Sequence, residues 1–552
     1  CCLLAMIGQV WFVRIFWFIL ELHNTTFRQT FPIYFPKLSI SPHVPSQNMV
    51  STLLCFFTVL LLTSLSHASL SYFSYKYATS SRFSPPKPVP FTKNSTTLLT
   101  MPPACFQPEF AGIISYSDMS EDCLYVSFWV PESAASAKLP IIVYIHGGAF
   151  VNGATQYYNG SYFAQQGNVI IVSVQYRLGM LGFMGYEAFR TKDGVGNLGL
   201  LDQLEALRWV KQNMAQFGGD VNLITLMGES AGGASVMIHQ ATNPDPLFHH
   251  TITMSGVFDF AVAKPLDEAH QIAQDHIDAL ECDSGDEQKV IECLKMVDPR
   301  IIVNKTTPPP EVYTIQPTID NVLIKKSINE YYKSGDFAKM PSIVGSTKEE
   351  FSTSICLRFK GQMDYKTLVH MLEQDFEKKA SLDSILHTYN LTAGSQTNYI
   401  DDYVRIKADS VMHCPTRRTI ASIAKKETYS YFYTFGHKFG FAPECIGAAH
   451  SLDLISLFPV SFLRAIGIPS YQLTEDEKIL GENMVQFFSN FAASGNVNSR
   501  MAMQSHQRKP LQCFFWSPYT PDTDMDMYFD TWSKMDRRKH FYKEVCALWD
   551  QM

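Results

Sequence analysis

The sequence lacks the charge of a nucleic-acid-binding protein. Its 552 residues include 45 lysines and arginines against 52 aspartates and glutamates, which gives a formal net charge of −7. A basic surface that neutralises phosphates is therefore not expected, and we exclude nucleic acid as a partner. With 46% hydrophobic and 18% charged residues, the composition is that of a globular protein.

The sequence also lacks the signals of a metalloenzyme and of a membrane protein. It contains no H-E-x-x-H or similar metal-ligand spacing. No apolar stretch after residue 68 approaches the roughly 20 residues that cross a bilayer. We therefore expect no metal, no cofactor and no membrane span in the mature chain.

The N-terminal region reads as a targeting segment. Met49 precedes an apolar run at residues 53–62 and then the small residues Ser66 and Ala68, which is the form of a secretory signal peptide. A membrane anchor is the alternative, but the run is shorter than the roughly 20 residues needed. We expect a doubtful upstream segment at residues 1–48, a signal peptide at 49–68 and a single secreted domain at 69–552.

Secretion would allow the twelve cysteines to pair. Three pairs would close two short loops and one very long loop: Cys105 and Cys123, Cys282 and Cys293, and Cys414 and Cys546. Spacing alone does not determine connectivity. Four glycosylation sequons fit the same compartment: Asn94, Asn159, Asn304 and Asn390.

Apolar runs and helical patterns alternate from residue 139 onwards. Residues 140–145 and 168–174 read as strands that are buried on both faces, and residues 198–217 repeat apolar side chains at helical spacing. Strands separated by helices predict an α/β fold with a large, mostly parallel central sheet and helices on both faces. Ligands bind at the carboxyl edge of such sheets.

A third apolar run, residues 221–227, leads into a G-x-S-x-G motif with Ser230 at its centre. The motif alone is more often a structural turn. Between a strand and a helix, however, it forms a nucleophile elbow, in which the flanking glycines let the two elements pass closely and the serine Oγ is exposed. This context favours Ser230 as a nucleophile.

Paired glycines, Gly147 and Gly148, follow the first of these strands. On their own they would indicate a simple turn. Beside a nucleophile elbow they supply backbone N–H groups that no side chain obstructs. We assign an oxyanion hole to the N–H groups of Gly147, Gly148 and Ala231.

Several motifs are spread along the chain, at residues 120–125, 146–150, 175–179, 196–203, 217–220 and 228–233, followed by 516–519 and 546–549. Together they resemble the type-B carboxylesterases, the family that includes cholinesterases, insect and gut esterases and bile-salt-type lipases. The resemblance covers about residues 75–552. It implies an α/β-hydrolase fold, ester hydrolysis and all three of the cysteine pairings named above.

The resemblance also supplies the partners of Ser230. The family's acid follows a glycine by five residues, which gives Glu350, although the adjacent Glu349 is an alternative that otherwise reads as a solvated surface charge. Residues 447–453 resemble the catalytic histidine loop and give His450. The order Ser230, Glu350, His450 is the one expected of α/β-hydrolases.

Further family features are matched or missing. Glu229 and Ser235 match polar groups that support the histidine, and Glu121 and Arg177 resemble a buried structural ion pair. The family usually begins with a β-hairpin, for which the residues between the expected cleavage site and Tyr75 leave no room. Either a segment has been lost from the sequence, which is our expectation, or this protein folds without the hairpin.

The expected substrates are small carboxylic esters with short to medium acyl chains, as in gut esterases. Cholinesterases bind a quaternary ammonium through a tryptophan in the first disulfide loop, and the segment from Cys105 to Cys123 contains none, which disfavours choline esters. A bile-salt-type lipase is one alternative. An adhesion protein that keeps the fold without catalysis is another, which the three matching triad positions disfavour.

Overall fold

The computed structural model describes residues 70–92, 95, 97–98, 100–109, 114–243, 247–258, 262–307, 315–376, 381–425, 428–499, 515–531 and 533–550. The predicted upstream segment, the predicted signal peptide and the sequon at Asn94 lie outside the described residues. The strands are β1 (Leu70–Lys76), β2 (Ala78–Thr79), β3 (Lys87–Pro88), β4 (Tyr125–Pro131), β5 (Leu139–Ile145), β6 (Ile170–Val174), β7 (Gly219–Glu229), β8 (His250–Met254), β9 (Lys264–Pro265), β10 (Thr318–Ile319), β11 (Ser342–Thr347), β12 (Ser430–Phe435), β13 (Met525–Phe529) and β14 (Asp536–Lys539).

The α-helices of the described residues are α1 (Ser161–Gly167), α2 (Gly179–Phe183), α3 (Leu198–Asn213), α4 (Ala231–Thr242), α5 (Leu266–Ala279), α6 (Glu287–Met296), α7 (Pro299–Thr306), α8 (Ile328–Ser334), α9 (Ser352–Phe359), α10 (Tyr365–Phe376), α11 (Leu382–Thr388), α12 (Ile400–Ala408), α13 (Cys414–Ala424), α14 (Leu454–Leu457), α15 (Pro459–Ala465), α16 (Glu475–Ser494) and α17 (Lys543–Trp549). Within this part of the chain, no helix combines the length and the apolar character that crossing a bilayer requires.

Ten strands form one large sheet. Their order is β1-β4-β6-β5-β7-β8-β11-β12-β13-β14. The seven strands from β6 to β13 in this order run parallel to one another. At one end of the sheet β4 is antiparallel to both β6 and β1, and at the other end β14 is antiparallel to β13. The mostly parallel sheet predicted from the alternating runs is therefore confirmed.

Both faces of the sheet are buried, as strand β5 illustrates. Ile142 and Tyr144 belong to an apolar cluster that includes side chains of α1 and α16. The alternate residues Ile141, Val143 and Ile145 belong to a second cluster with side chains of α3 and α4. Successive side chains of a strand point to opposite faces, so an uninterrupted apolar strand requires helices on both sides.

Disulfides join four pairs of cysteines among the described residues. Three are the pairs that the sequence suggested, and the fourth, Cys356–Cys445, was not anticipated: Cys105–Cys123, Cys282–Cys293, Cys356–Cys445 and Cys414–Cys546. The longest of these loops separates its cysteines by 132 residues. It ties α13 to α17, close to the C-terminal end of the described chain.

The expected ion pair between Glu121 and Arg177 is wrong. Arg177 instead binds Asp202 of α3, whose fully buried carboxylate lies 2.7 Å from Nη2 and 2.8 Å from Nε. Glu121 pairs with Arg82, whose Nε donates to it at 2.8 Å. Arg177 thus satisfies the more deeply buried acid, which has the greater need of a counter-charge.

Replacing Arg177 by methionine should destabilise the protein by about 3–5 kcal/mol, because Asp202 would remain buried without a counter-charge. Equilibrium urea unfolding measures the change. The double variant R177M/D202L removes both charges and should recover much of the loss. An R177M variant as stable as the wild type would show that this pair does not support the fold.

Candidate active site

Four consecutive strands of the sheet end beside one another, and three of them lead into the candidate residues. β7, β8, β11 and β12 are neighbours and run parallel. Ser230 follows β7, Glu350 lies three residues after β11, and His450 lies in the segment between β12 and α14. The shared carboxyl edge therefore brings together residues that are far apart in the sequence.

Ser230 occupies the sharp turn between β7 and α4. Its φ of 55° and ψ of −125° lie outside the regions that residues other than glycine commonly adopt. A Cβ on Gly228 would come within 2.3 Å of the carbonyl oxygen of Gly232, so only glycine lets the strand and the helix approach this closely. The Ser230 amide donates to the carbonyl of Met254 at 2.9 Å. The turn has the geometry of a nucleophile elbow.

Glu350 is fully buried and contacts His450. Its Oε2 lies 2.5 Å from His450 Nδ1. Its Oε1 accepts hydrogen bonds from the Ser255 hydroxyl at 2.6 Å and from the Thr347 amide at 2.9 Å. Burial alone would raise the pKa of Glu350, but His450 and these donors outweigh burial and lower it. Glu350 is therefore held as a carboxylate against the imidazole.

His450 lies between two carboxylates. Its Nε2 is 3.4 Å from Oε1 of Glu229, the residue that directly precedes Ser230. Burial would lower the pKa of His450, but the negative charges of Glu350 and Glu229 raise it to about 9. The Ser451 hydroxyl donates to Glu229 Oε1 at 2.5 Å. Because Glu350 holds Nδ1, the Nε2 atom is the one left to exchange a proton near Ser230.

Asp453 is a third buried acid, which the sequence did not single out. Its Oδ2 accepts a hydrogen bond from the Tyr433 hydroxyl at 3.0 Å. Burial and the nearby Glu229 raise the pKa of Asp453 to about 7. The only sequence signal for Asp453 is its place in the histidine loop, and Ser255, which binds Glu350, carries no recognisable signal.

The segment after β5 lies against the elbow. A Cβ on Gly147 would lie 2.9 Å from Cβ of Ser230, so the backbone passes close to the nucleophile where a side chain is absent. Among the described residues, none accepts a hydrogen bond from the amides of Gly147, Gly148 or Ala149. Ala231 begins α4, where the first N–H groups have no partner within the helix. These amides can donate to an oxygen bound beside Ser230.

Ser235 stands apart from His450. Its hydroxyl donates to the carbonyl of Ala231 at 3.0 Å and accepts from the Gln203 amide at 3.1 Å. Within the described chain no hydrogen bond joins it to His450. Of the two polar residues expected to support the histidine, the structure places only Glu229 in contact with it.

Three of the four proposed glycosylation sequons lie in described segments. Asn304 and Asn390 are exposed, and Asn304 Oδ1 accepts a hydrogen bond from the Tyr116 hydroxyl at 2.6 Å. Asn159 is half-buried, and its backbone amide donates to the Ser461 hydroxyl at 2.9 Å. Asn304 and Asn390 are thus the more accessible acceptors.

Comparison with known proteins gives a consistent result. A model of the carboxylesterase family matches residues 70–549. The cocaine esterase of Homo sapiens is 33% identical over 452 residues, which cover 76% of this chain and 77% of that protein. Carboxylesterase 3 of Homo sapiens is 31% identical over 455 residues, with the same two shares. The acylcarnitine hydrolase of Mus musculus is 31% identical over 414 residues, 71% of this chain and 70% of that protein.

The family match covers every strand of the large sheet, from β1 to β14. The α/β-hydrolase fold expected from the sequence is confirmed. This chain belongs to the carboxylesterase family and is a carboxylic-ester hydrolase.

Proposed function

We propose that the chain is a secreted serine carboxylesterase in which Ser230 is the nucleophile, His450 the general base and Glu350 the acid that orients the base. The contact that carries the proposal is the 2.5 Å approach of Glu350 Oε2 to His450 Nδ1. A carboxylate at Nδ1 selects the tautomer whose Nε2 accepts a proton. Because Nε2 lies 3.4 Å from the carboxylate of Glu229, the residue before Ser230, we assign that proton to Ser230 Oγ.

Acylation begins when Ser230 Oγ attacks the carbonyl carbon of the ester while His450 takes the hydroxyl proton. The carbonyl oxygen becomes an oxyanion, which accepts hydrogen bonds from the amides of Gly147, Gly148 and Ala231. Collapse of the tetrahedral intermediate breaks the bond to the alcohol oxygen, and His450 donates its proton to that leaving oxygen. The products of this half-reaction are the free alcohol and an acyl-enzyme.

Deacylation repeats the chemistry with water as the nucleophile. His450 takes a proton from water as the hydroxide attacks the acyl carbon, and it returns the proton to Ser230 Oγ when the acid leaves. Glu350 stabilises the imidazolium in both half-reactions. Burial raises the pKa of Glu350, but His450 and the hydrogen bonds from Ser255 and Thr347 outweigh it and lower that pKa, so Glu350 stays an anion beside the imidazolium.

We further propose small carboxylic esters with short to medium acyl chains as substrates. The segment between Cys105 and Cys123 contains no tryptophan that could hold a quaternary ammonium, which disfavours choline esters. Relatives named cocaine esterase and carboxylesterase support small-molecule esters. A rate that rises only when the substrate forms droplets would favour a lipase instead.

The proposal of secretion is supported by the disulfides and by the glycosylation sequons. In the part of the chain that the structure describes, eight cysteines form four disulfides, which persist in oxidising compartments and are rare in the cytosol. Exposed sequons at Asn304 and Asn390 fit passage through the same compartment.

A fluorophosphonate probe, which phosphonylates activated serines, should form an adduct that peptide mass mapping places on Ser230. S230A should give no adduct. H450A should lower kcat for a soluble p-nitrophenyl ester by about 10⁴-fold or more, because the serine loses its base. S354A, which removes a serine hydroxyl exposed on α9, is the matched control and should label normally.

An adduct on another residue would contradict the assignment of Ser230. A folded wild-type protein that forms no adduct and hydrolyses no ester would favour the adhesion-protein alternative. Circular dichroism of the same preparation shows whether the protein is folded.

The pH dependence of kcat/KM should report His450, since only the neutral imidazole can accept the serine proton. Because the pKa of His450 is raised to about 9, kcat/KM should increase with pH through that value. E229Q removes one of the negative charges that raise the pKa of His450. It should therefore move the acidic limb of the profile by about one pH unit towards lower pH.

E444Q provides the control for this shift. Glu444 lies in the same segment as His450, but its side chain is 96% exposed, so its charge is screened by solvent. The acidic limb should stay in place in E444Q. An acidic limb that E229Q leaves unmoved, or moves to higher pH, would contradict the electrostatic account of His450.

A further inference from the structure

Glu349, the neighbour of Glu350, lies where the segment after β11 meets the segment that leads into His450. The backbone of Glu349 bridges to Ala449, and its amide donates to the carbonyl of Ala448 at 3.0 Å. A few residues further on, the Ser352 hydroxyl donates to the carbonyl of Ile446 at 2.6 Å. Cys356 is disulfide-bonded to Cys445. The segment after β11 is thus joined at several points to the segment that leads into His450.

The Glu349 side chain adds a contact that only an acceptor of the right length can make. Its Oε2 accepts a hydrogen bond from the Ala448 amide at 2.8 Å. Its Oε1 lies 2.6 Å from Nζ of Lys348. Only 24% of the side chain is exposed, so Glu349 is not the solvated surface charge that its sequence position suggests. A hydrogen bond to an ionised acceptor is about twice as strong as one between neutral groups.

The histidine loop, residues 447–453, has room for this carboxylate because residue 447 is a glycine. Gly447 has a φ of 59°, and a Cβ at this position would lie 2.9 Å from Cδ of Glu349. The loop backbone therefore passes directly over the carboxyl group. Ala448 and Ala449 are themselves fully buried, so the backbone that Glu349 binds is packed inside the protein.

His450 needs this support because burial does not fix its ring. Its side chain is 30% exposed, and its Nδ1 must stay within hydrogen-bond reach of Glu350. Two adjacent carboxylates thus act on one loop: Glu350 binds the imidazole, and Glu349 binds the backbone two residues before it. A shift of about 1 Å in a catalytic group can cost about 100-fold in rate.

We infer that Glu349 is a positioning residue. Its hydrogen bond with the Ala448 amide fixes the conformation of the histidine loop, residues 447–453, and so places His450 against Glu350. The inference rests on the proposed roles of His450 and Glu350. Glu349 does not touch the reacting atoms, so its removal should lower kcat and leave KM little changed. A residue that only stabilised the fold would change the unfolding temperature without changing the turnover of the folded fraction.

The test compares four variants with soluble p-nitrophenyl esters, using active-site titration to count folded sites. E349A removes the acceptor, and E349D shortens it beyond the reach of the Ala448 amide while keeping the charge. Both should lower kcat per titrated site by about 10- to 100-fold. E349Q retains an acceptor oxygen at the same distance and should restore kcat close to the wild-type value. K348M removes the ion pair and leaves the hydrogen bond, so it should also resemble the wild type.

Equal kcat per site in E349D and the wild type would overturn the inference, and so would an E349Q variant as slow as E349D. A slow K348M would assign the effect to the ion pair and would also overturn it. If E349A fails to fold, the comparison of E349D with E349Q decides. Wild-type protein that gives no titratable Ser230 would instead count against the proposed function, so the two failures are distinguishable.

Discussion

The contact between buried Glu350 and His450 is the interaction on which the site depends. Burying a carboxylate without partners costs several kcal/mol, and here the imidazole and two hydrogen-bond donors offset that cost. Those donors, Ser255 and Thr347, come from the ends of β8 and β11. The ionised Glu350 is therefore stable only when β8 and β11 are paired in the correct register. The charge of the site thus depends on the pairing of these two strands.

The order of strands explains how the residues converge. β7, β8, β11 and β12 follow one another in the sheet, and each contributes to the site from its carboxyl end. Their parallel direction puts the elbow at Ser230, the acid and the histidine loop on one edge. Glu350 is fully buried, whereas His450 is 30% exposed. In the proposed mechanism, Glu350 can thus keep a fixed environment while His450 meets the substrate.

Local patterns in the sequence predicted β5, β6, β7 and α3 and singled out Ser230 as a candidate, because apolar runs and the G-x-S-x-G motif depend only on neighbouring residues. The chain has 16 histidines, and no local sequence pattern distinguishes His450 from the others. Its selection therefore required the family resemblance. The prediction that Glu121 pairs with Arg177 was wrong, because tertiary packing brings Asp202 to Arg177 instead. The contact of Glu349 was missed for the same reason, since the loop above it comes from about 100 residues away.

The central claim is that hydrolysis passes through an acyl group on Ser230, and that His450, oriented by Glu350, activates this serine. Rapid acid quench of the wild type with a p-nitrophenyl ester, followed by peptide mass analysis, tests it most directly. The account predicts a burst of nitrophenol that matches the number of enzyme chains, together with the acyl mass on the Ser230 peptide. Steady turnover with no burst and no acyl mass, in protein where E350Q is as active as the wild type, would contradict it.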